Sequence, residues 1–324
     1  MQNKNISTNF WQGLKRPFLV MAPMDDITDI AYRQIVKLCG KPDVLFTEFV
    51  SVDGLCSAGK NRLLHDLKFI KNEKPIVAQV FGSTPENFTK TAVIIDKLGF
   101  DGIDINMGCP FKTIEKQGAG AALIKNPALA QKIIEATKKG AGKMPVSVKT
   151  RIGYGRDSSK IWIPELLEMN PAALTIHART QKEKSRVPAH WDIVKEISIN
   201  IKQRKSKTVL IGNGDVESVE DALSKAETYR ADGIMIGRAV MNNPWFFSGR
   251  KDTEITREER IDLLLKHALL YEKYFSGIKR FDNLKKFYSS YIANFDESKK
   301  LRIKLMKAQN SAEMKKIIND FLGD

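Results

Sequence analysis

At 324 residues the chain is long enough to bury a large core unaided, either as one α/β barrel or as two domains. A mean hydropathy of −0.30 without any long apolar run argues against a membrane-spanning protein. Three widely separated cysteines (Cys39, Cys56, Cys109) exclude a disulfide scaffold and a tetrahedral zinc pattern, so no metal is expected. A net charge of +15 points to a polyanionic partner, most simply nucleic acid, although a lysine-rich solvated surface would give the same number. Residues 1–7 hold no apolar run of the signal-peptide kind, which together with the cysteine usage predicts a cytoplasmic protein.

Short apolar runs at 18–24, 44–50, 76–82, 102–108, 146–153, 173–179, 208–214 and 233–238 read as strands. Amphipathic segments at 29–39, 86–98, 127–139, 162–169, 191–202 and 218–229 read as helices between them, and only 51–74 is poorly patterned. Eight strands alternating with helices over about 250 residues predict a (β/α)₈ TIM barrel. A doubly wound sheet is the rival, but no G-x-G-x-x-G follows the first strand. Beyond residue 250 the strands stop, and 256–274, 282–294 and 297–324 read as helices. The predicted organisation is a barrel domain at 1–250 and a smaller all-helical domain at 251–324.

The most informative stretch is Gly102-Ile-Asp-Ile-Asn-Met-Gly-Cys-Pro110, continued by Gln117-Gly-Ala-Gly-Ala-Ala122. Alternation runs through Asn106, Gly108 frees the backbone and Pro110 forbids further pairing, so Cys109 is predicted at the carboxyl end of a strand. A lone cysteine is more often a small buried hydrophobe than a reactive group. Here the other strand ends weigh against that. They carry Pro23, Met24 and Asp25; Gln79; Lys149 and Arg151; His177 and Arg179; Asn213, Gly214 and Asp215; and Gly237 and Arg238. Chemistry in such barrels gathers at those ends. The seventh and eighth suggest a phosphate site, with turn N–H groups and the guanidinium of Arg238 as donors. With Gln79 at the polar edge of a ring and Lys149 able to stabilise charge on it, the set suits flavin mononucleotide.

These motifs resemble the tRNA-dihydrouridine synthases. The matching pieces are Ala22-Pro-Met, Thr28-Asp29, Gln79-Val-Phe-Gly82, Asp104 through Pro110, Gly118-Ala-Gly-Ala121, Val148-Lys-Thr-Arg-Ile-Gly153, Thr175-Ile-His-Ala-Arg-Thr180, Gly212-Asn-Gly-Asp215 and Met235-Ile-Gly-Arg238. The resemblance implies an FMN enzyme that reduces the C5=C6 bond of uridine in tRNA, with NADPH or NADH as the reductant. It implies that Cys109 protonates C5 while hydride from reduced FMN reaches C6, and that Asn106 helps hold the base. The implied FMN contacts are Pro23, Met24, Asp25, Gln79, Lys149, His177, Asn213, Gly214, Asp215, Gly237 and Arg238; His177 touching the uracil is the alternative. Asp25-Asp26 departs from the family, which more often has a small residue or Glu followed by Gly. Ala178 replaces a common glycine.

Arg151 and Arg179 are candidates for stabilising charge on the uracil. In the helical segment, 16 Lys+Arg stand against 12 Asp+Glu, no more than its length predicts, so local clusters matter more. Lys279-Arg280, Lys285 and Lys286 beside Phe287 and Tyr288, and the run from Lys299 to Lys307 are candidate tRNA contacts, against a plain solvated helix face. A monomer is expected. Two other readings share the barrel. A free-pyrimidine flavoenzyme like the dihydroorotate or dihydropyrimidine dehydrogenases would turn over uracil or orotate without RNA, but leaves the basic tail unexplained. A non-catalytic RNA binder would take up no FMN.

Overall fold

The apolar runs become eight parallel strands: β1 (Phe18–Met21), β2 (Leu45–Ser51), β3 (Ile76–Phe81), β4 (Gly102–Met107), β5 (Val146–Gly153), β6 (Ala173–Thr180), β7 (Val209–Asn213) and β8 (Gly233–Ile236). In the computed structural model, which describes residues 9–323, they pair in the order β1-β8-β7-β6-β5-β4-β3-β2. A parallel bridge between Val20 and Val44 joins β1 to the start of β2 and completes the barrel. The opening residues, read above for a leader, lie outside the described ones. Among the described residues no helix is long and apolar enough to cross a membrane.

Both faces of these strands are covered, as parallel sheets require, which is why β4 is buried at every position. One end of the barrel is filled by Trp11 from the 3₁₀ turn Phe10–Gly13; its ring lies 6.0 Å from Phe18 and 6.3 Å from Phe46. Val20, Val77, Ile211 and Met235 complete that cluster. With the lower interior packed by apolar groups, polar side chains are left for the carboxyl ends of the strands. Helices start and stop on local signals: Asn126 caps Pro127–Ala141, and Gly99 with φ +83° ends Pro85–Leu98.

The chain divides into two compact units. One runs to Asp25 and resumes over Pro42–Ile236; the other combines Asp26–Lys41 with Gly237 onward. A boundary at 250/251 follows the loss of strand pattern. Compactness instead starts the second unit at Gly237 and adds the helix Ile30–Cys39, where Tyr32 stacks on Phe287 with ring centroids 4.6 Å apart. Within this unit every described regular element is helical.

Two helices read from pattern differ in detail. Residues 282–294 form a 3₁₀ helix, Phe281–Phe287, and one α turn, Tyr288–Tyr291. The tighter three-residue period puts Leu284 and Phe287 on a single buried face. The stretch 297–324 breaks into Ser298–Leu305 and Ser311–Leu322, because Asn310 leaves the helical region to cap the second, accepting from the Glu313 N–H.

The departure at Asp26 has a conformational counterpart. Its φ is +59°, a region where glycine is free and Asp is among the better-tolerated side chains. Lys286 donates to the Asp26 carbonyl and comes within 3.9 Å of its carboxylate. Asp26→Gly should therefore leave stability within about 1 kcal/mol of wild type, while Asp26→Val should cost about 1–2 kcal/mol more. Equal denaturation midpoints for the two variants would remove the conformational explanation.

Candidate active site

Register sets the site level by level. Strand partners are Gln79 with Asp104, Asn106 with Lys149, Arg151 with His177, and His177 with Asn213. Asp104 and Asn106 are two residues apart on β4 and so share a face, as do Ser147, Lys149 and Arg151 on β5. On this face a buried hydrogen-bond chain forms. Ser147 Oγ donates to Asp104 Oδ1 (2.6 Å) and Gln79 Nε2 to Asp104 Oδ2 (2.8 Å). Asn106 Nδ2 donates to Gln79 Oε1 (3.0 Å), and Asn106 Oδ1 accepts from the N–H groups of Gly108 (3.1 Å) and Cys109 (2.9 Å).

That last pair of bonds is an Asx turn, and it bends the chain out of β4 at Cys109. Gly108 suits the turn, since a Cβ would stand 3.2 Å from the Thr150 backbone and force it to give way slightly. The Gly-Ala-Gly-Ala segment wraps the same point: the Ala121 N–H donates to the Cys109 carbonyl (3.0 Å), and a Cβ on Gly120 would come within 2.8 Å of that oxygen. Cys109 is 8% exposed, grouped with Ile114 and Ala119, with Phe49 and Phe81 packed against them.

Burial shapes the electrostatics. Desolvation lifts the Asp104 carboxyl to about 6, opposed by its bonds from Ser147 and Gln79 and by the charge of Lys149. Desolvation, helped by the neighbouring Arg151, lowers Lys149 to about 8, against the attraction of Asp104. The half-buried Lys149 ammonium donates no hydrogen bond to any described residue. Burial also raises the Cys109 thiol, with Asp25 adding to the rise and Lys149 and Arg151 opposing it, so the sulfur stays protonated at neutral pH.

The two barrel arginines expected at the substrate hold protein atoms. Arg151 donates from Nε to the Gly108 carbonyl (2.8 Å) and from Nη1 to those of Thr180 and Lys184 (3.1 Å each). Arg179 is buried, donates to the Val187 carbonyl (2.6 Å), and pairs with Asp215. Its Nη1 also meets His177 Nε2 at 3.3 Å; a guanidinium only donates, so that ring nitrogen accepts. Gly214 and Asp215 follow β7 with φ of +129° and +47°. A Cβ on Gly214 would fall 2.9 Å from the Ala189 Cβ and 3.4 Å from the His177 ring. Asn213 Nδ2 donates to the Met235 carbonyl (2.7 Å).

At the end of β1, Pro23 is buried, Met24 half-buried against the barrel cluster, and Asp25 exposed. In the second unit Arg238 is exposed and begins the short helix Arg238–Asn242, with Gly237 as its cap. Lys285 pairs with Asp282 (2.5 Å), and Lys286 is engaged with Asp26. The pattern reading passed over Asp104 and Ser147. Asp104 had a detectable signal, as a carboxylate that alternates with Ile103 and Ile105 and shares the face of Asn106. Ser147 had none.

A parallel (β/α)₈ barrel with a protonated thiol, a depressed lysine and two buried amides at the strand ends is an enzyme's arrangement. A family model described as dihydrouridine synthase (Dus) matches residues 20–322. A probable tRNA-dihydrouridine synthase of Staphylococcus aureus strain COL is 41% identical over 316 residues, 97% of this chain and 95% of the relative. A probable tRNA-dihydrouridine synthase 2 of Bacillus subtilis strain 168 is 40% identical over 319 residues, 98% and 97% of the two chains. Among solved structures, a 2-naphthoyl-CoA reductase complex shares the fold, with a TM-score of 0.53 at 11% identity over 71% of this chain and 49% of that one. The chain belongs to the dihydrouridine synthase family.

Proposed function

We infer that this chain is a tRNA-dihydrouridine synthase, an FMN-dependent oxidoreductase that reduces the C5=C6 bond of uridines in tRNA at the expense of NADPH or NADH. The observation that carries the cofactor assignment is Lys149: a half-buried ammonium at a strand end, without a protein acceptor, calls for an anionic or carbonyl-rich ligand. The turn after β7 fits as well, since its left-handed backbone at Gly214 and Asp215 is of the kind that approaches anions.

In this reading Lys149 would face the flavin ring, with the Gln79 amide, buried and held between Asp104 and Asn106, at the floor of its pocket. Pro23, Met24, Asp25 and His177 contribute to its pocket, and Asn213, Gly214, Asp215, Gly237 and Arg238 supply the phosphate donors. FMN held there would supply the hydride chemistry at C6 of the uracil. Cys109 holds its proton on Sγ until C5 takes it, and the closely packed Phe49, Phe81 and Ile114 keep water from the thiol. Asn106 acts chiefly by fixing the Cys109 loop, because its carbonyl oxygen is committed to two backbone N–H groups. Arg151 and Arg179 act by holding the loops around the mouth.

The helical unit would grip the tRNA through cations such as Lys279, Arg280, Lys299 and Lys300, with Lys285 and Lys286 in supporting positions, while the target base is extruded toward the barrel. The protein would act as a cytoplasmic monomer. Dihydrouridine mapped by mass spectrometry in tRNA from cells with and without the gene tests this. Loss of the modification at one or more positions is the expected result, together with its restoration in vitro by purified protein, FMN and NADPH. Unchanged tRNA, or turnover of free uracil or orotate without RNA, would overturn it.

A further inference from the structure

The chain of side-chain hydrogen bonds under Cys109 has a direction. Ionised Asp104 can only accept, so Ser147 and Gln79 must both present donors to it. Gln79 is then left with its carbonyl oxygen toward Asn106, which must answer with its NH₂. Asn106 is thereby left with its carbonyl toward the backbone N–H groups of Gly108 and Cys109. Each amide has one workable orientation, on which the acceptor Asp104 at one end and the Gly108 and Cys109 N–H donors at the other agree; without Asp104, Gln79 loses the partner that holds its carbonyl toward Asn106. Asp104 and Gln79 are completely buried and Asn106 nearly so, so water cannot substitute for a lost partner without reorganisation.

We propose that Asp104 is a positioning residue which, through Gln79 and Asn106, fixes the amide polarity that holds the Cys109 loop in its turn. It touches neither substrate nor cofactor in this role. The proposal deepens the reading of Cys109 as proton donor and rests on it for its meaning, but not for its test. Asp104 is also the buried carboxylate that favours the charged form of Lys149, so one side chain supports both the thiol and the amine.

The test exchanges the polarity. Gln79→Glu sets a carboxyl against a carboxyl, and in the alkaline buffer used for alkylation, where the pair's shared proton is lost, it should break the chain. Combining it with Asp104→Asn returns a donor at 104 and an acceptor at 79, restoring every bond with the charge moved by one residue. The readout is the rate at which iodoacetamide alkylates Cys109 in the FMN-free full-length protein, with Cys39 and Cys56 replaced by Ser and folding checked by circular dichroism. Gln79→Glu should speed alkylation tenfold or more, as should Asp104→Ala. The double variant should return to within about threefold of the parent.

If Gln79→Glu does not fold but the double variant does, that rescue carries the same meaning. A double variant that reacts as fast as Gln79→Glu, or fails to fold, overturns the proposal. So does an Asp104→Ala protein whose Cys109 reacts at the parent rate. Because the measurement needs neither tRNA nor FMN, it can fail while dihydrouridine formation stands, and the reverse.

Discussion

Cys109→Ala should form dihydrouridine 10²- to 10⁴-fold more slowly than wild type, roughly the range that a positioned proton donor contributes. Flavin absorbance and tRNA affinity should stay near wild type. The change removes one sulfur from a cluster of Ile114, Ala119, Phe49 and Phe81, so the expected stability loss is small, about 1 kcal/mol. Cys109→Ser tests the proton itself, since a hydroxyl of similar shape is a far weaker acid and should restore little. The buried thiol lies above its ordinary range, so it is the protonated, donating form at pH 7. Its loss should limit the rate only in more alkaline solution than the loss of the Lys149 charge. Single-turnover oxidation of reduced enzyme by unmodified tRNA reads this step directly, and a Cys109→Ala protein as fast as wild type would end the proton-donor role.

The second large effect is expected at Lys149. Lys149→Met keeps the length of the side chain and removes the charge. A hydrogen bond from a charged donor contributes about 1.5–3 kcal/mol, so FMN should bind roughly 10- to 150-fold more weakly. The wild type carries a matching pH signature. Lys149 is depressed to about 8, so the free protein loses this charge as pH rises through that value. Binding an electron-rich ligand above it requires taking the proton back, and the FMN dissociation constant should climb by up to about tenfold per pH unit.

In Lys149→Met this limb should flatten, while Lys149→Arg should displace it upward. Stability has the opposite sign: unfolded lysine titrates near 10.5, so the unfolded chain binds the extra proton between about 8 and 10.5, and the cost that burying the Lys149 charge imposes on folding shrinks as pH rises through that window. Fluorescence titration of FMN from pH 6 to 10 separates these outcomes. A wild-type affinity indifferent to pH across 8 would place Lys149 away from the ligand.

The local grammar of this chain carries far. Alternation through Ile103 and Ile105, the break at Gly108 and Pro110, and eight apolar runs with amphipathic segments between most of them determined the barrel and put Asn106 and Cys109 at a strand end. Period and punctuation are properties of a few adjacent residues, so they survive in one dimension.

What only the tertiary structure decided depends on partners distant in the chain. Arg151 and Arg179 are candidates at the mouth from their strand ends alone; carbonyls 29 to 43 residues from Arg151, and Asp215 for Arg179, are partners that only the fold supplies. Lys285 and Lys286 are held by Asp282 and by the Asp26 backbone, partners that their own sequence cluster does not reveal. The helix at 30–39 read as part of the barrel, yet it packs with aromatic side chains some 250 residues on. The role of Asp104 emerged only when β3, β4 and β5 came into register, because a hydrogen bond between strands is fixed by their alignment and by no local pattern.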